Sequence, residues 1–134
     1  IKNKDDDTPW YRYPSEQNTK LVMKGREVFT FASEVLADTI TLLKEKCKDK
    51  PFTKIIPHQA NSRIIEYVAR ITGFKQDQFF INLSKFANTS SASILLALWD
   101  AYTQRWLAPG DRIALIGFGS GLTWGGVVID WTLE

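Results

Sequence analysis

One histidine occurs in this 134-residue chain. It is His58, in the run Lys54-Ile55-Ile56-Pro57-His58-Gln59-Ala60-Asn61, where a β-branched stretch gives way to a polar turn. Two other places carry residues that could serve the same chemistry: Asn88, after Lys85-Phe86-Ala87, and the bend Gly119-Ser120-Gly121. A neutral imidazole N–H and a carboxamide N–H can both donate to one carbonyl oxygen. They stabilise it as negative charge develops, without bringing in a full positive charge. A helix amino terminus close behind His58 opposes protonation and favours that neutral form. Backbone N–H groups of a glycine-rich bend can serve a second oxyanion. Such a set suits enolate or tetrahedral-intermediate chemistry on an acyl group. Each member also has a plainer reading. His58 after a proline can be a turn residue, Asn88 a helix-start residue, and Gly119–Gly121 a tight turn into the next strand.

The elements that must position these groups are legible as hydrophobic periodicity. Val28, Ala32, Val35, Leu36, Thr39, Ile40 and Leu43 recur at helical spacing from Gly25 onward, which predicts an amphipathic helix of about five turns that Pro51 stops. Lys54-Ile55-Ile56 predicts a buried strand. A helix follows from Ser62 with Ile64, Ile65, Val68 and Ile71 on one face, Asn61 as its N-cap and Gly73 just past its end. Phe79-Phe80-Ile81-Asn82-Leu83 predicts a second strand. Thr89-Ser90-Ser91 predicts a capped start for a helix whose apolar stripe is Ile94, Leu95, Leu98 and Tyr102. Arg112 to Ile116 predicts a third strand and Gly125 to Trp131 a last one. The connection between these two is too short for a crossover, so they should be antiparallel. The alternation implies an α/β fold with a mixed, mostly parallel sheet and helices packed on it. Ligands in such sheets sit beyond the carboxyl ends of the parallel strands, where His58, Asn88 and Ser120 would converge.

Composition narrows the classes. The length suits one domain with its own core. A formal charge of +2 gives no argument for nucleic acid or a membrane surface, and no apolar run approaches a transmembrane span. A single cysteine, Cys47, forms no internal disulfide, and with no signal sequence at the start the expected location is cytoplasmic. Cys47 has no histidine beside it in sequence and reads as part of a solvated helix end rather than a nucleophile. One His and one Cys are too few for a metal site. Residues 1–20, with Asp5-Asp6-Asp7 and the aromatic trio Trp10, Tyr11 and Tyr13, read as a lead-in segment before a domain over 21–134. The chain begins at Ile1 rather than Met, so a fragment is expected.

Four blocks, in order, resemble the carboxyl-terminal half of the ketoacyl-acyl-carrier-protein synthase III family, within the thiolase-like condensing enzymes. They are Met23-Lys24-Gly25-Arg26-Glu27-Val28-Phe29, Ile56-Pro57-His58-Gln59-Ala60-Asn61 with Arg63, Ala87-Asn88-Thr89-Ser90-Ser91-Ala92-Ser93, and Phe118-Gly119-Ser120-Gly121-Leu122-Thr123-Trp124-Gly125. The resemblance implies a thiolase-like half-domain. It implies that His58 and Asn88 are the catalytic pair that binds a malonyl thioester carbonyl and stabilises its enolate, and that the backbone N–H of Ser120 belongs to the oxyanion hole. It also implies that Asn61 and Gly25 line the pantetheine arm and that Arg63 docks the acyl-carrier protein. The substrates would be acyl-CoA and malonyl-acyl-carrier protein with no further cofactor, and the reaction a decarboxylative Claisen condensation in fatty acid biosynthesis.

The partners implied are an amino-terminal half-domain bearing the nucleophilic cysteine and, in the full-length enzyme, a second copy in a homodimer. Cys47 does not match that nucleophile, so this chain alone is expected to be inactive. Ala87 and Ser120 stand where the family pattern has glycine, and a serine at a position of positive φ would be strained. Two other readings remain open. One is an acyltransferase of secondary metabolism that acts on another acceptor. The other is a non-catalytic thiolase-fold element that binds carrier protein or a partner subunit.

Overall fold

The computed structural model describes residues 24–134; the proposed lead-in over 1–20 and its boundary at 21 lie outside them. The core is arranged around three strands whose side chains alternate between the two faces of the sheet. These are β1 (Lys54–Pro57), β2 (Arg112–Gly119) and β3 (Thr123–Asp130), in the order β1-β2-β3. β1 pairs with β2 in parallel, with Ile55 opposite Ala114, and β2 pairs antiparallel with β3, with Ala114 opposite Val128. Ile55, Ala114, Ile116 and Val128 face one side of the sheet. Ile56, Ile113, Leu115 and Ile129 face the other. Along β1 and the first half of β2 both sides are covered, which is why these strands read as apolar runs rather than as alternating ones, whereas most of β3 is exposed.

The first side is covered by α1 (Gly25–Lys46) and α2 (Ser62–Thr72), the second by α4 (Ser93–Thr103). On α1 the predicted stripe is the buried one, with Ala32, Val35, Leu36, Thr39 and Ile40 inside. It lies so close to β3 that a Cβ on Gly126 would come within 2.7 Å of Thr39 and 2.8 Å of Ile116. On α2, Asn61 caps as expected, its side chain accepting the Arg63 N–H at 3.0 Å, and Gly73 closes the helix at φ 74°.

Two expectations are corrected. The residues that α4 buries are Ser93, Ala97, Asp100 and Ala101. The larger Ile94, Leu98 and Tyr102 flank that line at the edge of the core, and Leu95 is 67% exposed. Small side chains let the helix sit close to the sheet, so the widest apolar residues are displaced to its flanks.

Phe79 to Leu83 is not a strand. After a 3₁₀ turn at Gln76–Gln78 it makes a single parallel bridge, Phe79 to Ile55, and then enters the short helix α3 (Leu83–Phe86). Gln59 explains the break. Its amide donates to Phe80 O at 3.1 Å and to Pro57 O at 2.8 Å, and its carbonyl accepts the Asn82 N–H at 3.0 Å. A buried side chain thus takes over the bonds that a neighbouring strand would make.

Candidate active site

The carboxyl ends of β1 and β2 lie side by side because the two strands are parallel. The His58 N–H continues the pairing by donating to Ile116 O at 2.8 Å. This brings His58 and the bend after β2 to one end of the sheet, as the strand pattern predicts. They line one open cavity of about 750 Å³ together with Ser90, Ser91, Ser93, Phe118 and Ser120. Its outer wall is apolar: Ile94, Leu95, Leu115, Trp124 and Val127.

His58 is half-buried, and desolvation holds its pKa below the ordinary 6.5, so the ring is neutral at pH 7. Its Nδ1 lies 2.5 Å from Ser93 Oγ. One edge of the ring meets Phe118, with centroids 5.3 Å apart and planes at 69°. Behind it, Gly117 leaves room: a Cβ there would lie 3.2 Å from Ile94 and 4.0 Å from His58 Cβ. Phe31 on α1 packs edge-on to Phe118 and Trp124, which places the early turns of α1 at this same end of the molecule.

Asn88 is exposed and is not in the wall of that cavity. It stands two residues before Ser90, which is. Its side-chain carbonyl accepts the Ser90 N–H at 2.9 Å, the helix-start role weighed for it above. That bond also fixes the amide so that its NH₂ is the end left free to donate. Ser120 lies in the bend without positive φ, so the strain expected there is absent; Gly121 takes the left-handed position at φ 79°. Strain falls elsewhere, on Ala87 (φ 56°), Ser90 (φ 55°) and Leu122 (φ 53°). Gly25, Asn61 and Arg63 lie at the starts of α1 and α2, exposed and outside the cavity wall. Cys47 caps the far end of α1, packs on the core and does not line the cavity. Among the described residues no cluster of His, Cys, Asp or Glu could hold a metal ion.

Sequence reasoning missed Ser93 and Gln59. Ser93 is 2% exposed and Gln59 1% exposed. A buried serine four residues before Ala97 and seven before Asp100, on one helical face, was the available signal for the first. Nothing in sequence marks the second, because two of its three backbone partners lie more than twenty residues away.

A three-layer α/β unit with helices on both sides of a mixed sheet and a polar cluster at its carboxyl edge is thiolase-like. The solved structures agree. Synthase III from Thermus thermophilus superposes with a TM-score of 0.78 at 38% identity, covering 84% of this chain and 36% of that one. The enzyme from Pseudomonas aeruginosa PAO1 gives 0.79 at 33% identity over the same shares. Residues 42–131 match the family model described as 3-oxoacyl-[acyl-carrier-protein (ACP)] synthase III C terminal, and the chain belongs to that family. Beta-ketoacyl-[acyl-carrier-protein] synthase III of Clostridium novyi (strain NT) is 44% identical over 127 residues, which are 93% of this chain and 39% of the relative. The chain thus spans about two-fifths of the length of the curated relatives it matches.

Proposed function

We propose that this chain forms the carboxyl-terminal catalytic half of a 3-oxoacyl-acyl-carrier-protein synthase III-type enzyme. In this reading residues 21–134 are one domain preceded by a lead-in. An amino-terminal half supplies the cysteine that carries an acyl group taken from acyl-CoA. Malonyl-acyl-carrier protein then places its thioester carbonyl before His58 and Asn88. The imidazole Nε2–H and the Asn88 NH₂ donate to that oxygen as CO₂ leaves and an enolate forms, and the enolate carbon attacks the acyl-cysteine. The Ser120 N–H donates to the oxyanion of the resulting tetrahedral intermediate. Asn61 and Gly25 line the pantetheine arm, and Arg63 meets the acidic carrier protein.

The observation that carries this reading is the neutral His58 ring, held at Nδ1 by Ser93 and facing a cavity that it shares with the bend of β2. A charged imidazolium would pay for desolvation in the same place; a neutral donor does not. The apolar outer wall fits an acyl chain and the face of an amino-terminal half.

The test joins this chain to the amino-terminal half of a relative and follows release of CO₂ from a malonyl thioester. His58→Ala should lower the rate by about 10²–10³-fold, the usual cost of one oxyanion donor. Because the neutral ring is the working form, the wild-type rate should stay flat as pH falls from 8 to about 6.5, and drop only lower. An unchanged rate in His58→Ala would refute the assignment.

A further inference from the structure

We propose that Ser93 is a positioning residue that sets the tautomer of His58, placing the ring proton on Nε2. This rests on the donor role given to His58 above but is decided by hydrogen-bond accounting at Ser93. Its hydroxyl is buried at the first turn of α4 and has two neighbours, His58 Nδ1 at 2.5 Å and the Gln59 N–H at 3.2 Å. The Gln59 N–H can only donate, so Ser93 Oγ accepts there. The hydroxyl proton then has one destination among the described residues, His58 Nδ1, which must accept and therefore carry no proton. Were Nδ1 protonated, Oγ would accept twice and its own proton would be buried without an acceptor, an arrangement folded proteins avoid. With Nδ1 engaged, a neutral ring holds its proton on Nε2.

The backbone enforces the pairing. Gln59 follows His58 directly, so the residue that anchors Ser93 moves with the ring that Ser93 orients. The Gln59 side chain is itself locked to Phe80 and Asn82. Protonation of the ring is opposed by the same contact, since an imidazolium has no acceptor site to offer the hydroxyl. Among the described residues no other titratable group lines the cavity, so none of them competes for control of the proton.

The experiment labels histidine with ¹⁵N in this chain joined to an unlabelled amino-terminal half. His58 is the one histidine of the chain, so its two ring nitrogens report without further assignment. The wild type should show a single neutral tautomer, protonated at Nε2. Ser93→Ala, nearly the same size, should admit the Nδ1–H form and raise the titration midpoint toward the ordinary value. It should also slow malonyl thioester decarboxylation by about 10–100-fold, by analogy with partners that orient metal-ligating histidines, with KM little changed. Ser93→Thr, which keeps the hydroxyl, should restore both. A wild-type ring protonated at Nδ1 overturns the proposal whatever the variants do, and so does a Ser93→Ala ring with unaltered tautomer and titration. If His58→Ala leaves decarboxylation intact while the ¹⁵N spectra behave as expected, the donor role fails and the tautomer assignment stands.

Discussion

Ala87 holds φ 56° and ψ −164°, a region populated almost solely by glycine because a Cβ there crowds the neighbouring carbonyl. The residue precedes Asn88, so the crowding sits on the segment that aims the carboxamide. A substitution from alanine to glycine relieves about 1–3 kcal/mol of such strain and gives back about 0.5–1 kcal/mol through the greater freedom of the unfolded chain. Ala87→Gly should therefore raise stability by about 1 kcal/mol, read as a higher urea midpoint with an unchanged slope. A lower midpoint would show that the segment is not strained. The alanine itself was visible in the sequence as a departure from the family pattern. Which departure carries strain was not: Ser120 looked equally exposed to it, and only the turn geometry, with Gly121 taking the positive φ, separates the two.

At the scale of elements, Gln59 ties β1 to the stretch that leads to Asn88. Removing its side chain leaves Phe80 O and the Asn82 N–H without these partners in a buried site. Gln59→Ala should cost about 2–6 kcal/mol, at about 1–3 kcal/mol for each of the two orphaned groups. Amide hydrogen exchange should quicken over residues 79–88 before it does in α1. Equal acceleration everywhere would mean that the side chain serves global stability alone. The strands that pair through their own backbones, β1, β2 and β3, were legible from apolar runs and turn residues, and so were the caps of α2. The predicted strand at Phe79–Leu83 was not real because the same apolar letters serve a chain that bonds to a side chain. Composition carries no sign of which partner a backbone group will choose. In α4 the periodicity was right but the centre of the buried face was shifted: Ile94, Leu98 and Tyr102 pack at the edge of the core, since small residues at Ala97 and Ala101 outrank bulk where a helix lies close to a sheet.

At the scale of the molecule, Leu95, Trp99, Leu122, Trp124 and Val127 are all more than half exposed, and three of the five, Leu95, Trp124 and Val127, line the cavity of His58. In the proposed enzyme an amino-terminal half covers this face. The chain alone should then bind a hydrophobic dye and self-associate at micromolar concentration. Adding that half should abolish both, as light scattering and dye fluorescence would show; persistence of both after pairing would place the covering surface elsewhere.

The parallel pairing of β1 with β2 has a kinetic meaning as well. Ile55 and Ala114 are about sixty residues apart in the chain, so that contact closes a long loop and bears its entropy cost. The β2–β3 hairpin and the helices need only near neighbours and can assemble first. His58 meets the bend of β2 only when the long loop closes. A nascent chain can thus hold most of its helices and its hairpin while the edge that carries His58 does not yet exist, and the proposed site arrives as one of the last events of folding.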